Sequence, residues 1–210
     1  FTDVCIILAP DDRAIRDRYT RTAIPTRFHV SFATQLEAVG TADALLAAEQ
    51  FAAGEPFVVI NSDNYYPPDV LAALRIAKEP ACVGFSREGL SRRGDISAER
   101  IAAYAILNVS ADGYLRGIIE KPDPSVFASL GSDQVSMNCW HLTSEIFRAC
   151  RDVPPSSRDE IELPAAVQYA IDVLGMRIRV IPADAPVLDL SRRADIPIVT
   201  ERLRGVVLKL

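Results

Sequence analysis

The sequence predicts an α/β fold with a mixed, mostly parallel sheet flanked by helices. Short apolar runs alternate with helical segments through the first half of the chain, which is typical of parallel sheets covered by helices. Residues 57–60 form one continuous apolar run, as in strands that are buried on both faces. Residues 103–120 then change to two strands joined by the turn Ser110–Gly113, which is a hairpin signal and makes the sheet mixed.

The individual elements follow from this alternation and from turn residues. Gly40 and Gly54 bracket an Ala/Leu-rich helix, and a proline lies near the first turn of the next helix. We predict strands at residues 4–9, 28–32, 57–60, 82–85, 103–109, 114–120, 134–141 and 177–181. We predict helices at residues 11–20, 41–51, 68–78, 144–151, 160–173 and 196–204. The polar stretch 86–100 is interpreted as an exposed, solvated loop.

Length and composition restrict the class of protein. The 210 residues fit a single domain, and 24% charged with 49% hydrophobic residues is typical of soluble globular proteins. The net charge of −5 argues against a nucleic-acid partner or an anionic membrane surface. No apolar run approaches the roughly 18 residues of a membrane span. The four cysteines are widely spaced without a Cys-x-x-Cys pair, which argues against zinc and favours reduced thiols in the cytoplasm.

Two aspartates follow apolar runs. Asp63 comes just after residues 57–60, at the strand end where open α/β sheets bind ligands. Asp189 repeats this pattern after Val187 and Leu188. Such carboxylates are suited to a divalent metal, although Asp63 could also form an Asx-turn with neighbouring backbone amides.

Four segments, taken in order, resemble the sugar-1-phosphate nucleotidyltransferase superfamily, which includes glucose-1-phosphate thymidylyl- and uridylyltransferases. They are residues 35–44 (QLEAVGTADA), 58–64 (VVINSDN), 118–122 (IIEKP) and 187–190 (VLDL). Residues 136–140 (SMNCW) and 159–163 (DEIEL) resemble the family's sugar-site strand and acidic helix start. The resemblance implies a Rossmann-like, GT-A-like nucleotidyltransferase fold over nearly the whole chain.

The implied reaction transfers a nucleoside monophosphate from a nucleoside triphosphate to a sugar-1-phosphate, giving an NDP-sugar and pyrophosphate. The attacking phosphate oxygen is already an anion, so catalysis consists of positioning and charge neutralisation. The resemblance implies Mg²⁺ as the cofactor, with Asp63 and Asp189 as its ligands. Lys121 would act with Asp63 in catalysis by binding the sugar phosphate; the alternative is a solvated lysine at a strand end.

The resemblance also implies residues that bind the substrates. Gln35, Gly40 and Thr41 would bind the nucleotide, although Gln35 could be a surface residue and Gly40 only a helix N-cap. A second group would bind the sugar. It comprises Glu120, Asn138 and Glu160, and Asn138 could instead hydrogen-bond its neighbours.

The chain departs from the family in its glycines. The sequence has no Gly-x-Gly pair, so the glycine-rich loop that wraps the triphosphate, and the strand before it, are expected upstream of Phe1. As it stands, the chain is expected to bind triphosphate poorly. A catalytically silent relative that binds nucleotide sugars is therefore an alternative. A glycosyltransferase is a weaker one, since Asn61-Ser62-Asp63 lacks the Asp-x-Asp metal motif. Homo-oligomerisation through the apolar residues 206–208 stays open.

Overall fold

The computed structural model describes residues 1–120, 133–156 and 158–207. Its strands are β1 (Asp3–Leu8), β2 (His29–Thr34), β3 (Phe57–Val59), β4 (Asn64–Tyr65), β5 (Ala81–Ser86), β6 (Ile106–Val109), β7 (Leu115–Ile119), β8 (Gln134–Leu142), β9 (Arg179–Ala183) and β10 (Leu188–Asp189). Its helices are α1 (Arg13–Asp17), α2 (Thr41–Ala47), α3 (Glu49–Ala52), α4 (Pro68–Arg75), α5 (Ala98–Ala103), α6 (Ile146–Asp152), α7 (Leu163–Asp172) and α8 (Ile196–Arg202). None of the helices in these ranges is long and apolar enough to cross a membrane.

The chain divides into two compact units. The first comprises Phe1–Pro56, Thr143–Leu174 and Val206–Leu210, and the second comprises Phe57–Leu142 and Gly175–Gly205. The sequence-based prediction of one domain stays a prediction.

The first unit combines a two-stranded parallel sheet with helices. β1 pairs with β2 along its whole length, with Ile6 opposite Phe32. Helix α2 packs against both strands, and helices α6 and α7 pack against α2 and against each other. The apolar face of α7 is buried through Leu163, Ala166 and Val167, so this face contributes to the core of the first unit.

The second unit is organised around β8, the longest strand. β5 lies along one side of β8, while β3 and β6 pair with the other side. β9 extends the sheet parallel to β5, and β7 pairs with β6 as the predicted hairpin. β4 and β10 form a separate antiparallel pair. The fully buried Trp140 and Phe85 lie in β8 and β5, as expected for strands at the centre of a sheet.

The predicted mixed α/β architecture with helices flanking the sheet is confirmed. Among the described strands, however, parallel pairing is confined to β1–β2 and β5–β9, which is less than the mostly parallel sheet that we predicted. The reason is that β8 runs antiparallel to all three of its partners. Strand–helix alternation indicates crossover connections, but it does not reveal a late strand that inserts between earlier ones.

The interpretation of residues 86–100 as an exposed, solvated loop is wrong. Leu90 and Ile96 are 0% and 3% exposed and belong to the core of the second unit. A helical turn at Gly89–Arg93 and the start of α5 occupy most of the stretch. Most residues of this stretch are polar, so its composition indicated a solvated loop. Composition alone does not show that two of its apolar side chains are buried.

Candidate active site

Gln35 is held within the first unit by two hydrogen bonds from its side-chain amide. Its Nε2 donates to the Gly40 carbonyl oxygen and to Asp43 Oδ2, each at 2.9 Å. Both amide hydrogens therefore serve to close the loop that leads from β2 into α2. The predicted nucleotide-binding residues Gln35 and Gly40 are thus brought together. Both amide hydrogens of Gln35 are used in hydrogen bonds within the protein.

The backbone around position 40 in the first unit leaves room for glycine but for no side chain. It has a φ of +126°, and a Cβ at this position would lie 2.3 Å from the carbonyl oxygen of Ile161. Two backbone hydrogen bonds fasten the segments, from Ile161 N to Val39 O at 2.6 Å and from Ala42 N to Ile161 O at 2.9 Å. Gly40 is also the N-cap residue of α2, as its alternative interpretation predicted.

Thr41 and Glu160 lie on either side of this backbone contact. Thr41 Oγ1 accepts a hydrogen bond of 2.8 Å from the amide of Leu163, the first residue of α7. Glu160 precedes Ile161 and forms an ion pair of 3.5 Å with Arg158. The predicted nucleotide-binding residues and one predicted sugar-binding residue therefore share one neighbourhood of the first unit.

In the second unit, the pairing of β4 with β10 brings Asp63 next to Asp189. Asn64 is opposite Asp189 in this antiparallel pair, and the Leu190 amide donates to the Asp63 carbonyl oxygen at 2.8 Å. Ser191 Oγ lies 3.4 Å from Asp63 Oδ2 and also contacts Asp189 Oδ1. Asp63, just before β4, and Asp189, at the end of β10, are therefore neighbours.

The carboxylate of Asp189 is fully engaged by protein donors. Oδ1 accepts from the Ser191 amide at 2.9 Å and from the Ser191 hydroxyl, and Oδ2 accepts from Arg100 Nη2 at 2.7 Å and from the Tyr104 hydroxyl. Burial alone would raise the pKa of Asp189, but these hydrogen bonds and the charge of Arg100 outweigh it. The net pKa of Asp189 is therefore lowered, and its charged form is stabilised.

Arg100 and Tyr104 both reach Asp189 from the α5 segment. Arg100 lies within α5, whereas Tyr104 is the extended residue that ends it, and Ser97 caps the helix start by accepting from the Arg100 amide at 3.3 Å. The second guanidinium nitrogen, Arg100 Nη1, donates to Asp195 Oδ1 at 2.7 Å. Arg100 therefore joins three segments, α5, β10 and the turn before α8.

Asn138 lies at an irregularity of β8. The register with β5 shifts between Cys82 and Gly84, and Asn138 has a φ of +52°, in the left-handed region. The buried hydroxyl of Tyr66 donates to the neighbouring Met137 carbonyl oxygen at 2.6 Å. Most non-glycine residues adopt this conformation at a cost, and asparagine is among those that tolerate it best.

The residues present do not fit a cation shared by Asp63 and Asp189. Asp63 is exposed, and its side chain has one long hydrogen bond, whereas Asp189 is 6% exposed with all its oxygen positions used by donors. The described part of the chain also contains no group of three or more His, Cys, Asp or Glu side chains that could hold a metal ion. Of the two predicted ligands, Asp63 alone has a carboxylate open to an additional partner.

The two remaining predicted site residues are Glu120 and Lys121. Glu120 follows β7 and is exposed. Lys121 lies outside the described residues, as does Leu208 of the apolar tail. Arg100 and Tyr104 were not predicted from the sequence. The sequence signal that could have revealed this helix is Ser97 followed by Ala98, Glu99 and Arg100. A serine before three helix formers indicates a capped helix start.

Comparison with known proteins identifies the family to which this chain belongs. The family model for nucleotidyl transferases matches residues 1–184, so the chain belongs to the nucleotidyl transferase family. It is 24% identical over 190 residues to the UTP–glucose-1-phosphate uridylyltransferase YngB of Bacillus subtilis (strain 168), covering 79% of this chain and 62% of YngB. It is 27% identical over 146 residues to a glucose-1-phosphate thymidylyltransferase of Streptomyces antibioticus, covering 68% of this chain and 37% of that enzyme.

Solved structures support the fold. A UDP-glucose pyrophosphorylase complexed with UDP-glucose superimposes with a TM-score of 0.74 at 16% identity, covering 97% of this chain and 81% of that one. The UTP-bound UGPase of Acinetobacter baumannii gives a TM-score of 0.74 at 13% identity, covering 100% and 80%. This chain therefore has the α/β fold of those enzymes, but spans less than two thirds of YngB.

Proposed function

We propose that the protein transfers a nucleoside monophosphate from a nucleoside triphosphate to a sugar-1-phosphate, releasing pyrophosphate. The observation that carries the proposal is the nucleotidyl transferase family match over residues 1–184. The relatives are named for glucose-1-phosphate with UTP or as thymidylyltransferases, so we propose a hexose-1-phosphate and a pyrimidine nucleotide as the substrate classes.

In the proposed reaction, an oxygen of the sugar-1-phosphate forms a bond to the α-phosphorus of the triphosphate. The bond from that phosphorus to the bridging oxygen breaks, and pyrophosphate leaves with the electron pair. The nucleophile carries its own negative charge, so the chain need not remove a proton. Its task is to align two polyanions, for which we propose Lys121 at the sugar phosphate.

Substrate contacts are proposed for the residues that the family resemblance implies. Gln35, Gly40 and Thr41 are assigned to the nucleotide. Because the Gln35 amide hydrogens are directed at Gly40 and Asp43, its amide oxygen is the group that we assign to the base. The sugar hydroxyls are assigned to Glu120, Asn138 and Glu160.

Mg²⁺ is the proposed cofactor, and Asp63 is its proposed protein ligand. The Asp63 carboxylate is exposed, and hard divalent cations prefer carboxylate oxygens. We also propose a cytoplasmic location. All four cysteines are free, and cytoplasmic conditions keep thiols reduced. Self-association is a further proposal, supported by the exposed residues Val206 and Val207.

The test is pyrophosphate release in the presence of Mg²⁺, across five nucleoside triphosphates and a panel of sugar-1-phosphates. We expect release with one preferred pair, and a loss of about 100-fold or more in Asp63→Asn, because a group that neutralises transition-state charge is worth that much. Asp69→Asn, an exposed aspartate of the same unit, is the matched control and should keep its activity. Binding of a nucleotide sugar without release from any pair would contradict the proposal and point to the silent relative.

A further inference from the structure

Arg100 is the described cation that pairs with Asp189, one of the two carboxylates predicted to hold a metal. Its Nη2 lies 2.7 Å from Asp189 Oδ2. The pair is enclosed, with side-chain exposures of 16% for Arg100 and 3% for Asp189. A charge-assisted bond of this length between buried groups is among the stronger polar contacts of proteins.

The arginine is fixed independently of Asp189. Its Nη1 donates to Asp195 Oδ1 at 2.7 Å, and Asp195 is itself buried and accepts from the Arg192 amide at 2.9 Å. The guanidinium is therefore clamped between two carboxylates on neighbouring turns of the chain. An arginine held in this way is pre-organised, so little side-chain entropy remains to be lost when it bonds to Asp189.

The contacts also connect Arg100 to Asp63. Arg100 and Tyr104 hold one oxygen of Asp189, and the other oxygen holds the Ser191 amide and hydroxyl. Ser191 Oγ lies 3.4 Å from Asp63 Oδ2. Arg100 and Ser191 therefore bind opposite oxygens of Asp189, and Ser191 also contacts the exposed carboxylate of Asp63.

A metal ion at Asp189 would have to displace this arrangement. Both oxygens already accept two hydrogen bonds each, and a divalent ion on Oδ2 would meet the positive guanidinium at the same atom. Like charges at such a distance disfavour each other strongly when they are shielded from water. Arg100 supplies the one positive charge that Asp189 and Asp195 share, so the place of a cation at Asp189 Oδ2 is already taken by the guanidinium.

We propose that Arg100 takes the place of a metal ion at Asp189. A divalent cation is then held by Asp63 and not by Asp189. The role given to Asp63 rests on the proposed function, but the position of the cation can be measured without turnover.

The experiment is binding of Mn²⁺ alone, followed by the electron paramagnetic resonance signal of the free ion. We compare the wild type with Asp63→Asn, Asp189→Asn, Arg100→Met and the double variant Arg100→Met/Asp189→Asn. Arg202→Met is the matched control, because Arg202 also pairs with an aspartate, Asp95 at 2.6 Å, elsewhere in the unit. Circular dichroism establishes that each variant is folded.

We expect Asp63→Asn to raise the Mn²⁺ dissociation constant about tenfold or more, and Asp189→Asn to change it by less than about twofold. Arg100→Met frees Asp189 and should lower the dissociation constant about tenfold, and the double variant should return to the wild-type value. Arg202→Met should match the wild type.

Weakening by Asp189→Asn as large as that by Asp63→Asn would overturn the proposal, because Asp189 would then be a ligand despite Arg100. A folded Arg100→Met protein with unchanged affinity would overturn it too. If Arg100→Met does not fold, Asp189→Asn decides alone. The expected Mn²⁺ pattern in a protein that releases no pyrophosphate would count against the proposed function and leave this inference standing.

Discussion

Asp63 and Asp189 follow similar apolar runs, yet their environments are opposite. Asp63 is exposed, and its carboxylate has one long contact with Ser191. Asp189 is buried and receives four hydrogen bonds from Ser191, Arg100 and Tyr104. The apolar pattern places a carboxylate at a strand end, but it does not decide whether that carboxylate faces a ligand or the protein.

The environments of the two aspartates differ because a segment distant in sequence brings a cation to Asp189. Arg100 is 89 residues from Asp189 and 95 residues from Asp195, and it arrives on a short helix. Asp63 has no such partner among the described residues. A carboxylate predicted to bind a metal ion can therefore be occupied by a cation of the chain itself that the fold brings to it.

The largest expected effect follows from removing the cation. Arg100→Met leaves Asp189 and Asp195 buried without their counter-charge, which should lower the free energy of unfolding by about 3–5 kcal/mol. Urea denaturation measures this change. Arg202→Met removes an ion pair that is roughly 40% exposed on each side and should cost at most about 1 kcal/mol. Equal losses of unfolding free energy in the two variants would mean that the enclosed ion pairs of Arg100 stabilise the protein no more than the exposed pair of Arg202.

Several features of the two strand ends and of the first unit were predictable from local sequence. The strand end at Asp189 and the turn at Ser110–Gly113 were predicted, because apolar runs and turn residues are local signals. Asp63 was predicted just past the strand of residues 57–60, but β3 ends at Val59 and Asp63 directly precedes the separate strand β4. Local signals also located the loop around Gly40, although its need for glycine comes from the backbone of Ile161, about 120 residues further on.

The rest depended on tertiary contacts. The helix that carries Arg100 was missed because its polar surroundings indicated a solvated loop, while Leu90 and Ile96 anchor that stretch in the core. The left-handed conformation of Asn138 accompanies a register shift between β5 and β8, and the pairing of two strands distant in sequence is not a local signal. Periodicity assigns elements, whereas the partner of a charged side chain depends on how those elements meet.

A smaller effect is expected in acid. Hydrogen bonds from Ser191 and Tyr104 and the charge of Arg100 lower the pKa of Asp189 despite its burial. A carboxylate with a lowered pKa in the folded state adds stability above its unfolded pKa of about 4, and this stability is lost as the pH falls through the folded value. Asp189→Asn should therefore lose less stability than the wild type between about pH 5 and pH 2, as measured by urea denaturation at each pH.

Part of the acid dependence should survive in Asp189→Asn, because the pKa values of Asp112 and Asp184 are lowered as well. For Asp112 the leading cause is the Ser110 hydroxyl, and for Asp184 it is the Ser86 hydroxyl. Asp69→Asn is the control and should follow the wild type. An unchanged pH profile in Asp189→Asn would show that the Asp189 pair does not contribute to acid unfolding.

The smallest effect on stability is expected at Asp63. Because its carboxylate is exposed and weakly bonded, Asp63→Asn should change the free energy of unfolding by no more than about 0.5 kcal/mol, whatever it does to activity. Asp63→Ala tests the remaining alternative, since an Asx-turn would be lost with the side-chain oxygen but kept by asparagine. A cost of about 1 kcal/mol or more in Asp63→Ala alone would assign the Asp63 side chain to the turn before β4. Near-neutral values for both variants would leave ligand binding as the role of this carboxylate.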